Sequence, residues 1–304
     1  MRSFLFILLA GLLVPSARAT EAETIILKPS SPWQLDYGDE RCRLGRYFGT
    51  GDQQTVFWLE QFGPGESFDW LVAGPAIIGF MPDEPLKVRF SPGAEAWEMT
   101  SAAATLEGFG SAIIGRGPLR IEVSYGLPPK DEKEVEQEDG PPEGLSHLDT
   151  ELGASIYGFR LEQDPKQKLV LELGAMEKPF AAMNQCVEDL VASWGFDIVQ
   201  QKALKKTPNL KNKAEIVHKL QRYYPTNVMK NGGQARFFLR ADVDEKGQSS
   251  NCRLINRTVA DHFGTMTRQC EYIEEDAEFE PAIGSDGKPI KSFFVASINY
   301  QIGK

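Results

Sequence analysis

Along residues 24–125 apolar and polar positions alternate or cluster in short runs of β-formers. Thr55-Val56-Phe57-Trp58-Leu59, Leu86-Lys87-Val88-Arg89-Phe90 and Leu119-Arg120-Ile121-Glu122-Val123 are the clearest of them. Turn residues stand between the runs, at Gly63-Pro64-Gly65, Gly74-Pro75, Ser91-Pro92-Gly93 and Gly117-Pro118. Regular short strands with such punctuation predict an antiparallel sandwich or barrel-like sheet. Two further strands, Ser155–Leu161 and Lys168–Leu173, flank the turn Asp164-Pro165. The period then changes. From Pro179, apolar residues recur every three to four positions at Met183, Cys186 or Val187, Leu190 and Trp194, and Gly195 ends the pattern. That spacing puts one apolar stripe, with Cys186 on it, on a helix that closes the β region.

The last ninety residues follow a different order. A helix is predicted over Ala214–Tyr224, and Gly232-Gly233 leads into a strand over Gln234–Val243. In that strand Ala235, Phe237, Leu239 and Ala241 share one face by the two-residue period. Asp244-Glu245-Lys246-Gly247 is a turn, and Ser249–Asn256 is the return strand of a hairpin. A second helix is predicted over about Val259–Asp276, ending near Phe279-Glu280-Pro281-Ala282. After the turn Asp286-Gly287-Lys288-Pro289, a long strand runs from Ile290 to Ile302. The expected fold class is thus α+β. A mainly antiparallel β domain over 20–200, closed by a helix, precedes a small antiparallel sheet with two helices over 214–304. Lys202, Lys205, Lys206, Lys211 and Lys213, with Thr207-Pro208-Asn209, mark a solvated linker over 201–213.

The first nineteen residues fall outside this patterning. A basic Met1-Arg2, an apolar run of 11 residues from Phe4 to Val14, and Ala17-Arg18-Ala19 before Thr20 form the three-part pattern of a cleavable export signal. A spanning helix needs about 20 apolar residues, so an uncleaved anchor is the weaker reading. A soluble protein outside the cytoplasm, periplasmic or secreted, is expected. The 304 residues carry 43 acids against 33 bases, a net charge of −10, which argues against a general nucleic-acid binder. Seven of those acids lie between Lys130 and Glu143, inside a polar loop over 128–151. With almost nothing to bury, that loop reads as solvated, and it lacks the ligand spacing of a calcium site.

Export changes how the four cysteines are read, because disulfides persist outside the cytoplasm. Three pairings are open. Pairing within each unit joins Cys42 to Cys186 and Cys252 to Cys270. No C-x-x-C or H-x-x-x-H spacing supports a metal, and His147, His218 and His262 are the only histidines. No cofactor is expected. The nucleophile signatures G-x-S-x-G, S-x-x-K and H-E-x-x-H are missing, and the glycines of Gly108–Gly117 read as turns rather than a phosphate loop. His218 reads as an exposed helix residue and His262, beside Asp261, as capping chemistry. The chain is therefore expected not to be an enzyme, with a hydrolase using paired carboxylates of the β domain as the competing reading.

Several C-terminal features occur in the order and spacing of the TonB family's C-terminal domain, which the last ninety or so residues resemble. They are Tyr224-Pro225, the glycine pair, the hairpin Phe237–Leu254 with Val243-Asp244-x-x-Gly247, Phe279-x-Pro281-Ala282, Gly287-x-Pro289 and a terminal strand with Ile298-x-Tyr300. Asn256-Arg257-Thr258 departs from the family pattern after the second strand. The larger departure lies upstream, where a globular region replaces the family's membrane anchor and proline-rich spacer. What the resemblance implies is a binding mode: a partner's extended segment pairs with an exposed strand. On this template the strand residues are Phe293, Phe294, Val295, Ala296, Ser297, Ile298 and Asn299. The partner implied is a protein of the envelope, such as an outer-membrane transporter. An envelope protein that merely dimerises through the same strand is the competing reading.

Overall fold

The computed structural model describes residues 24–81, 84–92, 96–119, 144–163, 167–223, 235–259 and 268–300. The proposed export signal, Tyr224-Pro225, Gly232-Gly233, His262 and most of the acidic loop lie outside them. Nine strands come first. They are β1 (Thr24–Leu27), β2 (Gln34–Gly38), β3 (Arg41–Phe48), β4 (Thr55–Gln61), β5 (Ser67–Ala73), β6 (Pro85–Pro92), β7 (Trp97–Thr100), β8 (Ala102–Leu106) and β9 (Gly110–Pro118). Next are α1 (Thr150–Ser155), β10 (Ile156–Gln163), β11 (Gln167–Glu172), α2 (Glu177–Ser193) and α3 (Ile198–Lys202). The remainder begins with β12 (Asn209–Leu210), α4 (Lys213–Arg222), β13 (Ala235–Val243), β14 (Ser249–Val259) and α5 (Arg268–Glu275). It ends with β15 (Phe279–Glu280), β16 (Ala282–Ile283), β17 (Pro289–Ile290) and β18 (Ser292–Tyr300). The architecture is broadly α+β and mostly β: five sheets, with five α-helices among the described residues and no closed barrel.

Two sheets face each other in the N-terminal part, in the orders β2-β3-β4-β5-β9-β8 and β1-β11-β10-β6-β7. Period-two alternation sends Phe57, Leu59, Phe68, Trp70 and Val72 of one sheet inward, to meet Phe90, Phe159, Leu161, Leu169 and Leu171 of the other. Phe159 lies at the centre, with ring centroids 4.7 Å from Phe57, 5.0 Å from Phe90 and 5.2 Å from Trp70. The sheets are antiparallel but for one pair, β1 with β11, which the strand patterning did not reveal. α2 covers one end of this core with Phe180, Met183, Cys186, Val187 and Leu190. It starts two residues before Pro179 and stops at Trp194. Gly195, at φ +90°, takes the left-handed conformation that releases the chain. The disulfide Cys42–Cys186 ties α2 to β3 across 144 residues of sequence.

The C-terminal part has its own apolar cluster. Ile216 and Leu220 of α4 and Ile273 of α5 meet Leu239, Ala241 and Val243 on one face of the sheet β14-β13-β18. Cys252–Cys270 joins β14 to α5. β14 runs on to Val259, paired with Ala235, where the expected second helix was to begin, because the long β13 offers partners for three more residues. The long last strand is divided: β17 pairs with β16, and β18 begins after Lys291. The lysine-rich stretch is built into this part rather than left as a tether. Asn209–Leu210 pairs with Phe279–Glu280, Lys206 bridges to Ile283, and Leu204 is buried.

Candidate partner-binding edge

β18 forms one edge of the C-terminal sheet and pairs with β13 over nine consecutive residues, from Ala235↔Tyr300 to Val243↔Ser292, without a slip. The seven residues singled out on the resemblance, Phe293 to Asn299, are the interior of this strand. Among the described residues no strand pairs with its other side. Amide and carbonyl groups of alternate residues there point away from β13.

The opposite edge is built differently. The β13–β14 register slips twice, between Phe238 and Leu239 and between Arg240 and Asp242, and Asn251 takes a positive φ of 51°. The Glu274 carboxylate accepts a 2.7 Å hydrogen bond from the Cys252 N–H, and Ser249 Oγ donates to the Ile273 carbonyl. Bulges and side-chain caps of this kind blunt an edge against further pairing. Among the described residues β18 shows no such slip in its register with β13.

Side chains anchor β18 on both faces. Toward the helices, Phe294 lies 5.0 Å from Phe279, and Ile298 packs on the Ile216–Leu239 cluster. Tyr300 donates to the Leu220 carbonyl at 3.1 Å and accepts from Gln269 Nε2 at 3.3 Å. Burial pushes its phenol up to about 12. On the other face Phe293 meets Trp194 at 5.1 Å and Phe196 at 5.3 Å, with Val295 in the same cluster. Gln201, itself buried, donates to the Lys291 carbonyl and accepts from Ser292 Oγ at 2.6 Å, fixing where the strand begins. Ser297 is exposed.

That second face is the seam with the N-terminal part. Phe238 stacks on Phe62 at 4.5 Å, and the Arg116 guanidinium lies over its ring at 4.5 Å. Asp69, buried on β5, is 3.3 Å from both Arg116 of β9 and Arg236 of β13. Burial pushes its carboxyl up while the two guanidiniums pull it down. Arg240 lies over Trp194 at 4.4 Å, Lys291 meets Asp242 at 3.0 Å, and Arg253 reaches Glu40 at 3.5 Å. Burial lowers the Arg240 pKa. Sequence reading missed these residues. The available signal was the alternation Arg236-x-Phe238-x-Arg240-x-Asp242, which looks like a solvent face until a second surface is laid on it.

The two buried carboxylates of the β region, Glu60 and Asp69, are engaged as well. Glu60 stands directly opposite Asp69 in the β4–β5 register, giving a cross-strand row Arg43, Glu60, Asp69, Arg116. Glu60 accepts from Arg43 at 2.7 and 2.9 Å, and burial raises its pKa despite that partner. His147 lies 3.0 Å from Glu188, which also holds Lys202, and His218 is exposed on α4. No group of three or more metal-ligating side chains occurs among the described residues. No helix among them is long and apolar enough to cross a membrane. Comparison with protein-family models, with curated proteins and with solved structures finds no match to the chain.

Proposed function

We propose that the chain is a non-enzymatic, exported protein of the cell envelope that captures an extended segment of another protein by adding it to β18. The observation that carries this reading is the contrast between the sheet's two edges. β14 is bulged, capped and disulfide-tied, while β18 keeps an unbroken register with one side free of any strand among the described residues. Exposed regular edges template β-pairing, and folded proteins that do not use them blunt them. The resemblance to the TonB C-terminal domain supports the same edge, and an outer-membrane transporter is the partner it suggests. Two disulfides are consistent with export.

Adjacent residues of a strand send their amides to opposite edges, which gives a direct test. A display library of short peptides is selected on the full chain, and binding is compared for the wild type, Ala296→Pro and Ser297→Pro. One of the two prolines faces β13 and lowers the melting temperature. The other faces outward and is expected to leave melting near wild type while abolishing capture. Capture that survives the outward proline overturns the proposal.

A further inference from the structure

The two disulfides differ in their surroundings. Cys42 and Cys186 are each 1% exposed, enclosed by the side chains of the main core. Cys252 and Cys270 are only half-buried, at the rim of the C-terminal cluster. A thiolate that attacks a disulfide must reach one of its sulfurs, so access separates a reducible bridge from an inert one. Loop length acts in the same direction. Cys252–Cys270 spans 18 residues and Cys42–Cys186 spans 144, so opening the shorter loop costs the fold less.

The accessible bridge stands where α5 meets the sheet. The second slip of the β13–β14 register sets Asn251 and Cys252 opposite Ala241 alone, a bulge. There the Cys252 N–H donates to the Glu274 carboxylate of α5 at 2.7 Å. Gln269, next to Cys270 and fully buried, donates to Tyr300 Oη of β18 at 3.3 Å. Ile273 belongs to the cluster on which Phe294 and Ile298 of β18 pack. One helix of eight residues thus joins the bridge to the candidate edge.

We propose that Cys252–Cys270 is a redox latch on β18: a dithiol reduces it while Cys42–Cys186 persists, α5 loosens, and capture at the edge weakens. A thiolate of the dithiol attacks one sulfur, and the other cysteine leaves as a thiolate and takes up a proton. The second thiol then displaces the first cysteine, so the protein gains two electrons and two protons and the dithiol becomes a disulfide. The inference adds regulation to the strand-capture reading and rests on that reading for its last step alone.

The full chain is titrated with dithiothreitol, quenched with iodoacetamide and mapped by mass spectrometry. Cys252 and Cys270 are expected to be alkylated at a concentration at least about tenfold below that needed for Cys42 and Cys186. Hydrogen exchange is then expected to quicken at least about tenfold over residues 268–275, and to rise over 292–300. The double variant Cys252→Ser/Cys270→Ser is expected to show the same exchange without reductant. A peptide selected on the oxidised chain is expected to bind the selectively reduced chain at least about threefold more weakly, and to recover on reoxidation. Alkylation of both pairs at one concentration, or exchange over 268–275 unchanged when Cys252–Cys270 alone is open, overturns the latch and leaves strand capture standing. An affinity unchanged by selective reduction does the same. If no peptide is selected, strand capture fails, and alkylation and exchange still decide whether the bridge latches α5.

Discussion

Gly115 and Gly117 lie within β9, not in a turn. A Cβ on Gly115 would fall 2.1 Å from the Trp70 ring, and one on Gly117 would fall 2.6 Å from Trp97. The indoles lie flat across the strand, and only hydrogen fits beneath them. Gly108, at φ +79°, lies in the turn that the glycine-rich run suggested, and Gly110, at φ +77°, opens β9 directly after it. Gly115→Val is expected to destabilise the fold by about 3 kcal/mol through overpacking, read as a lower urea midpoint. Tyr300 shows the same dependence on surroundings. Its folded-state pKa of about 12 exceeds the ordinary 10, so folding favours the neutral phenol. That contribution is complete below pH 10 and lost as pH rises from 10 to 12. Tyr300→Phe is expected to flatten the alkaline limb of a melting-temperature profile, and a limb unchanged in the variant contradicts this assignment.

Among the elements, the helices and strands with strong periods were legible in advance, and their partners were not. The stripe on α2 announces a buried face, yet nothing in its spacing says that β3 lies beneath it. The two cysteines, read as members of one unit, supplied that link. Closing a loop of about 145 residues stabilises by about 5 kcal/mol, and one of about 19 residues by about 3 kcal/mol, through loss of unfolded-state entropy. Replacing Cys42 and Cys186 together by Ser is therefore expected to lower stability more than replacing Cys252 and Cys270, measured by urea denaturation. Equal losses would mean that native contacts, not loop length, govern both. Element ends were the least legible feature, as β14 shows: Arg257-Thr258-Val259 suit either a strand end or a helix approach, and the reach of β13 decides.

For the whole molecule, the decisive feature is the seam. Residues 236, 238 and 240 of β13 present arginine, phenylalanine and arginine, and the N-terminal part meets them with Asp69, Phe62 and Trp194, while Arg253 of β14 reaches Glu40. Among the described residues, Asp69 is the carboxylate shared by arginines of both parts. Truncating it leaves two guanidiniums without that counter-charge, at a cost of roughly 3–5 kcal/mol. Asp69→Ala is accordingly expected to split a single calorimetric transition into two as the parts uncouple. One intact transition at a slightly lower temperature would show that the aromatic contacts alone couple them.

From composition, period and turn residues, the chain itself determined its α+β character, the helix stripe and the continuous run Phe293–Asn299, because each depends on residues near one another or on counts, whereas of the three open cysteine pairings the structure selects Cys42–Cys186 and Cys252–Cys270. Which edge keeps an unbroken register, which polar residues turn inward at the seam and which hairpin packs against Val295 of β18 were decided only by the tertiary structure. Those properties arise when two surfaces distant in sequence are brought into contact, and local patterning carries no record of what will be laid on a polar face.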